Sequence, residues 1–254
     1  MFSLKGKTAL VAGASRGIGA AIAEAMAVSG ASTILASRSL GALEKHATRL
    51  RTAGYDARAL SLDVSDSASI RACAQAAGEV DILVNVAGTN IRKRFETYTR
   101  EEYDYLLQTN LHGLVELTQV VGDGMVKRAR GGKIVFIGSL MSLVGLPYVT
   151  VYGITKGALG QLTKTLAAEW GQHQIQVNCI APGFILTDLN KKMWADEEMN
   201  RWLKGVQANP NLGRPEDIAP LAVFLSGPGS NYVTGQIIPV DGGYTTTRMW
   251  PFAP

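Results

Sequence analysis

The sequence predicts an α/β protein of 254 residues, one domain built on a doubly wound parallel sheet with helices on both faces. Short apolar runs of strand length alternate with segments of helical periodicity along the whole chain, with no repeat, low-complexity tract or clear linker between them. One run, VDILVNV at 80–86, is almost continuously apolar, the mark of a strand buried on both faces. A glycine-rich turn joins the first run to the first helical segment, the order that a parallel strand–helix–strand unit needs.

Residues 7–12, KTALVA, form the first expected strand. The turn Gly13-Ala-Ser15-Arg16-Gly17-Ile18-Gly19 follows, and AAIAEAMAVSG then carries apolar positions at helical spacing, with Gly30 as its stop. Residues 32–37, STILAS, make the second strand, and 39–53 a second, polar-faced helix. A third strand spans 57–63, and Ser65 is the expected N-cap of the third helix. After the fourth strand at 80–86, residues 101–128 read as one long, mostly helical stretch. Residues 133–138 are the fifth strand, 151–171 a helix, and 176–181 the sixth strand. The stretch 187–205 is polar, rich in Lys, Met and Trp, and irregular. Arg214-Pro215-Glu216-Asp217 opens a helix that runs to 225, with proline and acids in its first turn. Residues 236–240 are the last short strand.

Hydrophobic residues make up 46% and charged residues 18%, an ordinary globular balance. The net charge of +4 is mildly basic, yet no Lys/Arg block of nucleic-acid-tail length occurs, so no nucleic-acid partner is expected. No apolar run reaches the ~18 residues of a membrane span, and MFSLKGKTAL lacks a signal-like apolar region. Cys73 and Cys179 are far apart and form no CxxC pair, which suits a reducing compartment, so a cytoplasmic location is expected. His46, His112 and His173 lack metal-ligand spacing, and no catalytic metal is expected.

Tyr152-Gly-Ile-Thr-Lys156 puts a phenol and an ammonium one turn apart on a helical face. The ammonium favours the phenolate, so a group with a free pKa of about 10 becomes a usable proton donor or acceptor nearer neutrality. Alone, this spacing is more often an ordinary helix surface. The glycine-rich turn supplies the missing context. Gly13, Gly17 and Gly19 let the backbone turn sharply and approach a diphosphate, which a helix amino terminus favours. The spacing differs from GxGxxG, but the strand before it and the helix after it support dinucleotide binding. The second strand ends Ala36-Ser37-Arg38-Ser39, without the acid that takes the ribose hydroxyls of NAD. Arg16 and Arg38 with small hydroxyls suit a 2′-phosphate, so NADP(H) is expected over NAD(H).

With these features the chain strongly resembles the short-chain dehydrogenases/reductases, over about residues 5–244. The resemblance rests on AGASRGIG from Ala12, Asp63-Val64, Asn85-Val86-Ala87-Gly88, Asn110, Ser139, Tyr152 with Lys156, and Pro182-Gly183 with Thr187. Ala12 stands where the family usually has Thr, and Val86 where it has a second Asn. That Thr often ties the turn to the fourth strand, so a weaker link is expected here.

The resemblance implies a single-domain Rossmann-type sheet spanning residues 1–254. It implies that Ser139 orients the substrate oxygen, Tyr152 exchanges the proton, Lys156 holds the nicotinamide ribose and lowers the Tyr152 pKa, and Asn110 anchors a water in the proton path. Such a reaction needs a donor at the developing alkoxide and a tuned acid beside it. For the cofactor the resemblance implies Gly13, Ser15, Arg16, Gly17, Ile18 and Gly19, then Ser37 and Arg38. Asp63 and Val64 should hold the adenine, and Asn85, Ala87 and Gly88 should line the site. Pro182, Gly183, Ile185 and Thr187 should complete it, with Thr187 on the carboxamide. Without the family, Asn110 reads as a helix-interior polar residue and Thr187 as a helix N-cap.

The segments Thr89-Asn-Ile-Arg-Lys-Arg94 and Ser139-Leu-Met-Ser-Leu-Val-Gly145 resemble the branch that includes gluconate 5-dehydrogenases and 2-deoxy-gluconate 3-dehydrogenases. Arg92, Lys93 and Arg94 lie near the expected rim of the site, and Lys191 and Lys192 in an expected lid at about 184–212. Together they would attract a sugar-acid carboxylate; a solvated basic rim is the bland alternative. Candidate substrate contacts are Arg92, Arg94, Ser139, Met141, Tyr152 and Trp194, although Trp194 and Trp202 serve equally well to pack the lid helices. A 3-oxoacyl-carrier-protein reductase would use the same rim to dock an acidic partner. A non-catalytic NADP-sensing regulator is the alternative of another class; Asn110, Ser139, Tyr152 and Lys156 argue against it, because binding alone needs no proton-transfer residues. Val240-Asp-Gly-Gly243-Tyr resembles the family's interface segment, and the tail offers Met249, Trp250 and Phe252, so a homo-oligomer is expected, a tetramer by family analogy.

Overall fold

Strand pairing sets the architecture. A computed structural model describes residues 2–188 and 190–247. In chain order β1 (Thr8–Ala12) leads to α1 (Gly17–Val28), and β2 (Ser32–Ser37) to α2 (Leu40–Thr52). β3 (Ala57–Ser61) is followed by α3 (Ser67–Ala77), and β4 (Ile82–Asn85) by α4 (Arg100–Leu107) and α5 (Gly113–Arg128). Then come β5 (Gly132–Ile137), α6 (Thr150–Trp170) and β6 (Ile175–Pro182). The short helices α7 (Lys191–Trp194) and α8 (Glu197–Val206), the helix α9 (Pro215–Ser226) and β7 (Ile237–Val240) complete the described chain.

All the pairings are parallel, in the order β3-β2-β1-β4-β5-β6-β7. Because successive strand residues point to opposite faces, Val11 and Val84 enter one core layer while Leu10 and Leu83 enter the other. The first layer packs Ile22 and Met26 of α1 and Val223 of α9, and the second packs Leu117 and Met125 of α5 and Leu159 of α6. Burial on both faces explains why the strands read as unbroken apolar runs. The chain leaves β1 toward β2 on one side and resumes at β4 on the other. The strand order therefore reverses between β1 and β4, the switch point at whose carboxyl edge sheets of this kind bind ligands.

Local chemistry departs from expectation at identifiable places. Asp66, not Ser65, caps α3: its carboxylate accepts from the Ala68 N–H at 2.9 Å, while the Ser65 hydroxyl turns back to Asp63 at 2.6 Å. Because Asp63 takes the Ser65 hydroxyl, the helix amino terminus is left to the Asp66 carboxylate, which its partial charge favours. The long helix at 101–128 is interrupted at Gln108–His112 by one wide π turn that carries Asn110. The link expected to be weak at Ala12 is made by backbone instead. The Ala12 carbonyl accepts from the N–H groups of Val86 at 2.8 Å and Ala87 at 2.9 Å. Met249, Trp250 and Phe252 lie outside the described residues. Among the described residues no helix is long and apolar enough to cross a membrane, and no group of three or more His, Cys, Asp or Glu could hold a metal ion.

Candidate active site

The glycine-rich turn is built so tightly that side chains are excluded. Gly13 has φ +99°, and a Cβ there would fall 2.6 Å from the Ala87 nitrogen. A Cβ on Gly19 would fall 2.1 Å from the Gly13 oxygen. The turn is also fixed to β2, because the Gly13 N–H donates to the Ala36 carbonyl at 2.7 Å. Arg16 precedes α1 in an extended conformation, and no side chain caps the helix. The first-turn N–H groups of α1 are thus left without a side-chain acceptor, the arrangement that receives a diphosphate.

Thr187 lies over this turn, its methyl 3.5 Å from where a Cβ on Gly17 would be. An open cavity of about 750 Å³ runs from Ser15, Gly17 and Thr187 to Lys45 and Arg49 on α2. At the tip of β2, Arg38 is exposed and the Ser37 hydroxyl accepts from the Ser39 N–H at 3.1 Å. Hydrogen bonds from Ser65 hold the Asp63 carboxyl below its ordinary range, and the Arg38 charge adds to this. Lys191 likewise holds Asp188 low, with a smaller contribution from Arg16. Cations at the β2 tip and in the turn, uncapped amides and glycines that admit a close approach fit a phosphorylated dinucleotide.

Three elements converge beyond Gly88. A Cβ there would fall 3.4 Å from Asn110 Oδ1 and 3.6 Å from Lys156 Nζ. Asn110 is fully buried and its amide is committed. Oδ1 accepts from the Thr89 N–H at 2.8 Å, while Nδ2 donates to the Thr89 carbonyl at 2.8 Å and to Thr155 Oγ1 at 3.3 Å. Thr155 in turn donates to the Tyr152 carbonyl at 2.7 Å. Ser139 follows β5 and caps the single turn Leu140–Ser142, its Oγ accepting from the Met141 N–H at 3.2 Å. Ser142 locks this turn to α6 by donating to the Lys156 carbonyl at 2.7 Å. Sequence reasoning missed Ser142 and Thr155; the three-residue Ser139–Ser142 spacing of a capping box was the available signal.

The electrostatics correct one expectation. Lys156 Nζ lies 5.6 Å from the Tyr152 ring centre, but it donates to the Ile137 carbonyl at 2.8 Å. Burial pushes the Tyr152 phenol above its ordinary value, with the Ser139 hydrogen bond acting the other way. The lowering expected from Lys156 is therefore not what the chain by itself produces. Lys156 is brought down to about 8 by burial, against the influence of Cys179.

At the rim, the basic residues separate. Lys93 pairs with Glu102 at 2.8 Å, and Arg94 approaches Glu96 at 3.9 Å. Arg92 instead donates to the Met193 sulfur at 3.0 Å, a weak acceptor, and meets no carboxylate among the described residues. Trp194 is only 5% exposed and packs edge-on against Phe184 at 5.5 Å, so its ring is committed to packing. Phe184 also meets Trp202 at 5.4 Å and Tyr244 at 5.1 Å. Of the candidate substrate contacts, Met141 is half-buried beside Gly153, and Arg94 is exposed.

Comparison with known proteins identifies the family. Residues 13–245 match the family described as enoyl-(acyl carrier protein) reductase. The chain is 38% identical over 251 residues to a gluconate 5-dehydrogenase of Gluconobacter oxydans, covering 97% of this chain and 98% of that protein. It is 39% identical over 252 residues to a tropinone reductase homolog of Arabidopsis thaliana, covering 96% and 94%. A solved structure of gluconate 5-dehydrogenase from Burkholderia cenocepacia, in complex with NADP and tartrate, superposes with a TM-score of 0.93 at 34% identity, covering 97% of this chain and 98% of that one. The chain belongs to the short-chain dehydrogenase/reductase family and is an NAD(P)-dependent oxidoreductase acting on CH–OH groups.

Proposed function

We propose that the protein is an NADP-dependent oxidoreductase that interconverts a keto-sugar acid and its secondary alcohol, with 5-ketogluconate and gluconate the first pair to test. The observation that carries the substrate class is Arg92, a rim guanidinium whose partner is a thioether where its neighbours already hold carboxylates. A substrate carboxylate is a far better acceptor for it. The relative named gluconate 5-dehydrogenase and the neighbour holding NADP and tartrate support the same class.

The glycine turn and the α1 amino terminus would hold the diphosphate, Asp63 and Val64 the adenine, and Ser37, Arg38 and Arg16 the 2′-phosphate. Ala87 and Gly88 would line the site, with Asn85 fully buried behind them and donating to Thr118 Oγ1 at 3.0 Å, and Pro182, Gly183, Ile185 and Thr187 would close its other side. The bound nicotinamide supplies or accepts the hydride. Ser139 Oγ holds the substrate oxygen, and the Tyr152 phenol gives or takes the proton there. Lys156 is near enough for its charge to favour the phenolate as the proton leaves. By family resemblance Asn110, whose side-chain amide is committed to Thr89 and Thr155, would anchor the water of the proton path. Residues 184–212, which carry α7 and α8, act as the lid.

The test follows NADPH and NADH oxidation across 5-ketogluconate, other keto-sugar acids, polyol-derived ketoses, a bicyclic amino ketone and an acetoacetyl thioester. Turnover of keto-sugar acids with NADPH preferred is the expected result. Thioester turnover without any sugar-acid response would make the protein a 3-oxoacyl-carrier-protein reductase, and equal or better efficiency with NADH would remove the NADP assignment. We further read the chain as a cytoplasmic homo-oligomer, a tetramer by family analogy, to which the free buried thiols of Cys73 and Cys179 are suited. A monomer mass in native mass spectrometry would end the oligomer assignment.

A further inference from the structure

Three non-glycine residues among those described hold a positive φ: Ala129 at +50°, Gln174 at +58° and Tyr148 at +67°. Ala129 and Gln174 end helical turns, where a left-handed residue commonly closes the last turn. Tyr148 ends no helix. It lies in the loop between the Leu140–Ser142 turn and α6, four positions before Tyr152. A bulky side chain on a left-handed backbone is an outlier that persists only where its surroundings over-determine it, and such residues gather at binding sites.

The surroundings here are the rim. The Tyr148 carbonyl accepts from the Lys93 N–H at 2.9 Å. Lys93 is itself held by Glu102 and lies 5.6 Å from the Tyr98 ring centre, and the Tyr98 hydroxyl donates to the Ile91 carbonyl. The same segment is clamped at Thr89 by Asn110 and carries Arg92. Core packing does not account for the residue, because it is 49% exposed. The strained backbone therefore anchors the half-exposed Tyr148 against the segment that bears Arg92, two positions before the helix that bears Tyr152.

We propose that Tyr148 is a substrate-specificity residue, its hydroxyl bonding to the polar part of the substrate remote from the reacting carbon. The proposal rests on the sugar-acid function above. A polyhydroxylated chain offers donors and acceptors, and a phenol can serve as either partner.

The experiment compares full-length wild type, Tyr148→Phe and Tyr148→Gly, using NADPH and the best carbonyl found in the panel. Tyr148→Phe should raise the carbonyl KM about threefold to tenfold, the worth of one neutral hydrogen bond, with kcat and the NADPH KM within about twofold. Tyr148→Gly should raise the carbonyl KM at least as much. It remains folded by circular dichroism, because glycine adopts this φ without strain. An unchanged carbonyl KM in both variants overturns the proposal, as does a parallel fall in kcat and cofactor affinity, which marks a purely structural loop. If wild type turns over no keto-sugar acid, the substrate class fails; the KM ratios on the best carbonyl still decide Tyr148.

Discussion

Tyr152→Phe lowers kcat for carbonyl reduction by about two to four orders of magnitude, the range of general acid catalysis, and leaves the NADPH dissociation constant within about twofold. The substitution removes one oxygen and keeps the ring. The contacts that hold this part of α6 survive, because Thr155 bonds the Tyr152 backbone and Ser142 bonds the Lys156 backbone. A loss of turnover cannot then be assigned to a displaced helix. The wild-type pH profile gives a second readout. Burial keeps the phenol protonated above its ordinary value, so at neutral pH it stands ready as an acid. Reduction, which consumes that proton, should be flat through neutrality and fall as the phenol ionises at higher pH. Oxidation needs the phenolate and should rise over the same interval. In Tyr152→Phe the residual rates lose the phenol's part of both slopes and keep only what Lys156, held at about 8, contributes. Retained turnover in the variant would end the role given to Tyr152.

The second large effect is expected at Gly13→Ala. The new methyl faces two independent obstacles: a backbone at φ +99°, and the Ala87 nitrogen and Cα at 2.6 Å and 2.9 Å. The left-handed conformation costs about 1–2 kcal/mol, and forcing a methyl into packed backbone costs about 1–3 kcal/mol. A change of this size in a chain of this length lowers Tm by roughly 4–20 °C. The contact cannot be relieved by a rotamer, because the opposing atoms are backbone, and Val86 and Ala87 are both tied to the Ala12 carbonyl. Relief must move the loop after β4, so the NADPH affinity measured by fluorescence titration should fall as well. Gly54→Ala is the control. Gly54 has φ +88°, and a methyl added there would meet nothing within 4 Å, so it isolates the conformational cost. Equal losses in the two variants would show that the Ala87 contact is unimportant.

Much of this is legible in the sequence because it depends on periodicity and on glycine. The apolar run at 32–37 marks both limits of β2, and the parallel pairing follows from the alternation of strands and helices. What escapes depends on competition between neighbours. Ser65 and Asp66 are both good caps, and only the path of the Asp63 loop decides between them. The π turn at Asn110 leaves no mark, since Leu106, Leu114 and Leu117 still read as one helical face. The partner of Lys156 is a carbonyl, which any residue at 137 would supply. Trp194 reads in the sequence equally as a cover for a ligand and as packing for the lid helices, and folding decides for packing, gathering it with Trp202 and Tyr244 around the Phe184 ring.

The Asn110 side chain grips Thr89 only through the main-chain atoms of Thr89. Any residue at position 89 that keeps its N–H keeps that grip, and the next positions can change identity while the proton-handling centre stays where it is. On the assignment proposed for Arg92, substrate choice is thereby uncoupled from chemistry: a short exchangeable cassette hangs from a fixed hook. For an engineer, residues 89–94 are the natural place to randomise, with the residues at 110, 139, 152 and 156 left untouched.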